Sequence, residues 1–363
     1  MVASGSTTTL LLSKSEEDYI REGCRDDCRI DGRTRTDFRT YSIIVNSEVR
    51  PADEEGNPRP FSSSPSSASP PLILSNGSAR LISSDQRTHL LCSVKADIVH
   101  PAIHAPHEGV VELYVDRLTA ASTATRKSDD ELQALCRSLL LNELLDKSAL
   151  CILPHQYVWR ITIDLYLLSV IAGSLLDAAS HIIRAALQHT VLPLVTPSLT
   201  SSSSDHDYDA GESSSSSLVP PNQPGATTDL LVDSDVCAAQ PLPGADRAPI
   251  LATVTVLKCR DPHASYSSSS FVLLHDATAE EEACSYCQVH VAVDLGSTPS
   301  VPPILCGWQT LGRGSLPLSL LPDITASAVA AAQSAHQAYR IVQSHSSSAT
   351  STSFWLQDTF AMQ

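Results

Sequence analysis

The sequence predicts an α+β fold made of two similar halves, each a group of strands closed by a helix. Three observations carry this. Residues 38–115 hold four stretches with strand patterning and no helical period between them, so antiparallel strands are expected rather than repeated β–α–β units. Val158–Ile171 is an apolar run rich in β-branched and aromatic residues. It is broken by Gly173 and followed by Ser174–Gln188, where Leu175, Leu176, Ala179, Ile182, Ile183, Ala186 and Leu187 recur at spacings of three and four. After a low-complexity stretch, strand patterning resumes near Ala248 and ends in an alanine-rich helical pattern, repeating the order of the first half.

Residues 1–12 are expected to be disordered. Ser13-Lys-Ser-Glu16 has the spacing of a capping box and should open a short charged helix to about Glu22. Phe38–Val45 reads as a strand, and 48–71, rich in Pro, Ser and Glu, as a loop. Gly77–Ser83 and Thr88–Asp97 read as a hairpin, and Val110–Val115 as a further strand. Ser128-Asp-Asp-Glu131 repeats the capping-box spacing before a helix with Leu132, Leu135, Cys136, Leu139 and Leu140 on one face. Val158–Ile171 and Ser174–Gln188 form the central strand and helix, closed by a short strand over Thr190–Val195.

Residues 197–247 are expected to form a low-complexity insertion, since the serine runs and Asp205-His-Asp-Tyr-Asp209 cannot bury enough apolar surface to order themselves. Strands follow at Ile250–Leu257, Phe271–His275, Tyr286–Leu295 and Ile304–Leu311. Ala277–Ala283 reads as an acidic turn and Asp323–Gln343 as the last helix. The fold thus divides into halves over 13–196 and 248–345, with a flexible tail over 346–363.

A chain of 363 residues with 42% hydrophobic residues can build a sizeable core. Its formal net charge of −16 argues against a free-standing nucleic-acid binder, which has to neutralise phosphates. An acidic chain can act on RNA where neighbouring subunits supply the positive surface. No apolar run approaches the roughly 20 residues of a membrane span, and Thr7–Leu12 lacks the charged start of a signal peptide. Ten cysteines in a chain of this length fit reduced, buried thiols in a reducing compartment. Cys284-x-x-Cys287 has no matching second pair, and His100, His104 and His107 have no Cys or carboxylate at ligand spacing. Both groups are therefore expected to be structural, with no metal or other cofactor.

Several segments, taken together in their order, resemble the RNase PH family, in particular its exosome ring subunits. They are Arg29-Ile-Asp-Gly-Arg33, Gly77-Ser-Ala-Arg80, Lys95-Ala-Asp97, Glu108–Asp116, Cys151–His155, Trp159–Asp164, Gly173–Ala178, Asp276–Cys284 and Gly312–Leu316. The resemblance covers most of residues 13–345 outside the serine-rich insertions. It implies the RNase PH-like fold (ribosomal protein S5 domain 2-like) and a place in a six-membered ring with other RNase PH-like subunits. It also implies S1/KH cap subunits above the ring, RNA threaded through it, and residence in the nucleus, nucleolus and cytoplasm without a membrane.

Active members of that family hold phosphate on a Gly-Thr-Arg helix start and carry two aspartates six residues apart. A helix N-terminus suits an anion because its N–H groups are free and its dipole end is positive. Here the matching start reads Gly173-Ser-Leu-Leu-Asp177. The arginine is missing, and Asp177 adds a charge that would repel phosphate. Asp276 and Glu282 keep the six-residue separation, but the second is a glutamate within the run Glu280–Glu282, which is expected to be solvated.

The resemblance with these departures implies a non-catalytic ring subunit supporting 3′-to-5′ RNA processing, with Asp276 and Glu282 as remnants of a site. The alternative is an active phosphate-dependent 3′-to-5′ exoribonuclease that shares its site with a partner. Arg29, Arg33 and Arg80 are candidates for contact with RNA or a neighbouring subunit. Arg29 and Arg33 could instead form local ion pairs around an Asp31-Gly32 turn.

Overall fold

The computed structural model describes residues 12–45, 75–83, 87–118, 123–141, 144–170, 173–198, 229–233, 235, 238–260, 269–296, 302–312 and 314–348. The expectations for residues 1–11, for the 48–71 loop, for 199–228 and for the tail beyond 348 lie outside these residues.

Helix α1 (Lys14–Arg25) starts on the anticipated capping box. The Ser13 hydroxyl accepts from the Glu16 N–H, and the Glu16 carboxylate accepts from the Ser13 N–H at 2.7 Å. The first sheet contains β1 (Tyr41–Val45), β2 (Gly77–Ser83), β3 (Thr88–Val99) and β4 (Val110–Arg117). After α2 (Thr123–Leu139) it adds β5 (Cys151–Leu153) and β6 (Tyr157–Val170). The order is β1-β2-β3-β6-β4, with β5 also on β6.

All its pairs are antiparallel except β4 with β6, which runs parallel from Val110↔Arg160 to Arg117↔Leu167. The purely antiparallel first half is therefore corrected. Helix α2 carries the chain across between β4 and β6, which is what a parallel pair requires. That helix also begins five residues before the expected Ser128 cap. The acid next to that residue, Asp129, pairs with Arg117 of β4 at 2.7 Å instead of serving a helix end.

Helix α3 (Leu175–Gln188) lies between the two sheets, and every residue from Leu176 to Leu187 is buried. One face packs on β2, β3 and β6, the other on β11 (Ile250–Arg260), so both sides have to be apolar or hydrogen-bonded. The Ser180 hydroxyl accepts from the Leu251 N–H, and the Arg184 guanidinium donates to the Ala248 and Asp246 carbonyls. Gly77 marks the closest approach of sheet to helix. A Cβ there would lie 2.7 Å from the Thr190 Cα and 2.8 Å from the Ala186 carbonyl oxygen. Gly77→Ala is expected to cost about 1–3 kcal/mol by overpacking, read from the denaturant midpoint. An unchanged midpoint would mean that this contact yields.

After α3 come β7 (Val191–Leu192) and β8 (Val195–Ser198). The insertion expected over 197–247 is narrower than the sequence suggests. β9 (Asp229–Val232) pairs with β8 and β10 (Gln240–Pro241) with β7, while Leu242 and Ala245 enter the main core. Paired backbone and two buried side chains supply what the serine runs cannot.

The second sheet has the order β12-β11-β13-β14, with β12 at Ser269–His275, β13 at Cys287–Asp294 and β14 at Ile304–Gly312. Residues 277–283 were expected to be a turn. They form a short helix, α4 (Ala279–Ala283), behind a capping box of Thr278 and Glu281. Helix α5 (Leu321–Ser348) covers the far face of this sheet, packing Ile324, Ala328, Ala331 and Ala332 against Ile250, Val254, Val289 and Val291. Among the described residues no helix is long and apolar enough to cross a membrane.

Candidate functional site

The residues singled out in the sequence meet where the start of α3, the end of β12 and α4 come together. Asp276 follows β12 in a left-handed conformation (φ 45°), which turns its carboxylate inward, where it is 1% exposed. Two guanidinium groups and a backbone amide surround it. Arg33 Nη1 donates to Oδ2 at 2.5 Å, Arg39 Nη2 to Oδ1 at 2.6 Å and the Arg39 N–H to Oδ2 at 2.6 Å. Arg39 Nη2 also donates to the Gly173 carbonyl at 2.8 Å, which ties the segment before β1 to the start of α3. Burial pushes the Asp276 carboxyl up, but the bonds and charge of Arg39 together with Arg33 outweigh it and hold the group below the usual aspartate value.

Glu282, on α4, reaches the start of α3. Its Oε1 accepts from the Ser174 N–H at 2.7 Å, the position where a free helix-end donor would otherwise meet an anion. Burial raises its pKa to about 7. The Ser174 bond and Arg39 pull it down, and the charges of Asp276 and Glu281 push it up.

Asp177 does not stand at the helix end as a free repelling charge. Its carboxylate accepts from the Thr253 hydroxyl at 2.6 Å and from the Thr253 N–H at 3.1 Å, both on β11. Thr253 Oγ1 also shares a hydrogen bond with His290 Nδ1 at 2.9 Å. Burial raises Asp177 to about 7 despite those bonds.

The three arginines have different surroundings. Arg29 is 3% exposed and faces the interior. Its guanidinium grips Glu281 through two bonds (2.9 and 2.6 Å) and donates to the His275 and Asp276 carbonyls. Contact with RNA or another subunit is therefore corrected for Arg29, because every face of its guanidinium is used inside the chain. Arg33 is committed to Asp31 and Asp276. Arg80 stays on the outer face of the first sheet, its Nε donating to His89 Nε2 at 2.5 Å. The solvated acidic run is corrected as well, since Glu281 is buried and Glu282 is bonded inward.

Sequence reasoning missed Arg39, Thr253, His290 and the role of Glu281. Arg39 had a weak signal, six residues beyond Arg33 in the same arginine-rich segment. Cys284 and Cys287 are both buried thiols, each pushed up to about 11 by burial, which disfavours the reactive thiolate.

Chemically the cluster is closed on itself. Phosphoryl transfer needs donors and positive charge left available for the incoming anion. Here the Ser174 N–H, the first of the helix-end donors, serves Glu282, and the two guanidiniums serve Asp276.

Residues 72–193 match the family model for domain 1 of the 3′ exoribonuclease family, RNase PH. The chain is 27% identical over 194 residues to the exosome complex component Rrp42 of Sulfurisphaera tokodaii, covering 52% of this chain and 59% of that protein. It is 25% identical over 182 residues to the exosome complex component RRP45A of Arabidopsis thaliana, covering 48% and 50%. The matched stretch thus spans between half and three fifths of these relatives. Among solved structures, an archaeal exosome core superposes with a TM-score of 0.54 at 20% identity, covering 90% of this chain and 96% of that one. An exosome from Archaeoglobus fulgidus, described as having RNA bound to the active site, gives 0.55 at 19% identity over 89% and 97%. Residues 72–193 are thus similar to the first domain of the RNase PH family, and the chain has the RNase PH-like fold.

Proposed function

We propose that the chain is a non-catalytic ring subunit of an RNA exosome, supporting 3′-to-5′ processing and degradation such as rRNA maturation and mRNA turnover. One observation carries the reading: the place where phosphate would bind is filled by the chain's own carboxylates, Glu282 on the Ser174 N–H and Asp276 between Arg33 and Arg39. The relatives' names and the acidic net charge of −16 support assembly with other RNase PH-like subunits that supply the basic surface. S1/KH cap subunits and RNA threaded through a hetero-hexameric ring complete the partners. Arg80, on the outer sheet face, remains a candidate for contact with RNA or a neighbour. The proposed location is the nucleus, including the nucleolus, and the cytoplasm.

The purified chain, given RNA and inorganic phosphate, is expected to release no nucleoside diphosphates. Pull-down from its own cells is expected to recover RNase PH-like chains. Phosphate-dependent release by the isolated chain that disappears in Asp276→Ala would overturn the proposal. Release seen only after mixing with a partner, and lost in Glu282→Gln, would establish the shared-site exoribonuclease instead.

A further inference from the structure

A second group of titratable side chains lies away from this cluster, at one end of the first sheet. Two Pro-His pairs that are distant in sequence face each other there. Pro106-His107 lies in the loop between β3 and β4, and Pro154-His155 in the turn between β5 and β6. Both histidines are exposed. The His155 N–H donates to the Pro106 carbonyl at 3.0 Å, and Gln156 N–H donates to Leu153 O at 3.1 Å, closing the turn. His155 holds a left-handed backbone (φ 66°), an uncommon conformation for a residue that is not glycine. The two rings end up 5.0 Å apart between centroids, at 75°.

That separation, which edge-to-face ring contact also gives, is within the range of two imidazoles sharing one metal ion. A metal–nitrogen bond of about 2.0–2.1 Å, plus roughly 1.1 Å from nitrogen to ring centre, places two rings about 5.2 Å apart at the tetrahedral angle and about 4.5 Å apart at a right angle. The backbone is fixed before binding by two prolines and a hydrogen bond that ties one loop to the other, so little ordering cost remains.

We propose that His107 and His155 form an open, two-imidazole site for a divalent first-row transition metal. The ion cross-links the β3–β4 loop to the β5–β6 turn. Among the described residues no group of three or more His, Cys, Asp or Glu converges, so this chain supplies two ligands and water fills the outward positions. Imidazole ligands and an unconstrained outer side place copper(II) first in affinity, ahead of nickel and zinc. The expectation from sequence that these histidines hold no metal rested on His100, His104 and His107 alone, because His155 is brought in only by the fold.

The test is titration of the tag-free, full-length chain with Cu²⁺, Ni²⁺ and Zn²⁺ by calorimetry, alongside melting curves with and without the metal. One site is expected, tightest for copper, with a higher melting temperature in its presence. His107→Gln and His155→Gln are each expected to weaken binding at least tenfold and to abolish the metal-induced rise, with metal-free melting unchanged because both side chains are exposed. Wild-type binding retained in either variant would overturn the proposal, since the rings would then be in simple edge-to-face contact and the metal held elsewhere. So would the absence of any saturable binding.

Discussion

Replacing Arg29 with alanine is expected to destabilise the protein by about 3–5 kcal/mol, measured by urea unfolding, because it leaves a buried carboxylate without its partner. The Arg29 side chain is fully buried and that of Glu281 nearly so, and they meet at 2.6 Å. The same guanidinium satisfies the carbonyls of His275 and Asp276, so alanine also strands two acceptors. The exposed pair of Arg35 and Asp27 gives the contrast: Arg35→Ala should cost less than about 1 kcal/mol. Exchanging both partners, Arg29→Met with Glu281→Leu, should recover only part of the loss: no unpaired charge is left, but the two carbonyls and the Thr278 N–H still lose their partners. A loss below about 1 kcal/mol in Arg29→Ala would show that solvent reaches Glu281 and that the bridge is not part of the core.

Stability is expected to peak close to neutral pH, with two opposed sets of buried groups setting the limbs. Asp177 and Glu282 are raised to about 7 by burial. Between their ordinary values and 7 the folded state holds protons that the unfolded state has released. Their contribution is thus complete in acid and is lost as pH rises towards and through 7.

His181, His275 and His290 are lowered to about 4, in each case chiefly by burial. Their contribution is complete above 6.5 and is lost as pH falls towards 4. The groups facing Asp177 are Thr253 and His290 from the second sheet, with Asp276 and Glu282 beyond the helix start.

Asp177→Asn removes the ionisation while keeping the shape. Its amide can accept from the Thr253 N–H and donate to the Thr253 hydroxyl. From pH 5 to 8.5 the variant should gain on the wild type by up to about 3 kcal/mol, since about two pKa units of the shift lie above pH 5 at about 1.4 kcal/mol each. Parallel stability curves for the two proteins would show that Asp177 is ionised throughout.

Much of the architecture could be read along the chain. The run into β6, the glycine break and the period of α3 are local patterns, and the structure places all three where the pattern puts them. The Ser13 capping box holds because all its partners lie within one turn. The Ser128 box does not, because the helix already begins at Thr123 and Ser128 lies inside it rather than at its end. The parallel pairing of β4 with β6 was hidden too: alternation of apolar residues marks a strand's buried face but not its neighbour's direction.

The site divides the same way. Sequence alone determined that the helix start lacks an arginine and that Asp276 and Glu282 sit six residues apart, since both are facts about spacing. Only the tertiary structure decided what those residues do. Arg39 closes on Asp276 across more than two hundred residues of chain, Glu282 caps a helix from the other half, and Arg29 turns inward to Glu281. Charges attract whatever is near in space, and a buried charge must find a partner there. The partner's position in the sequence carries no signal of the pairing.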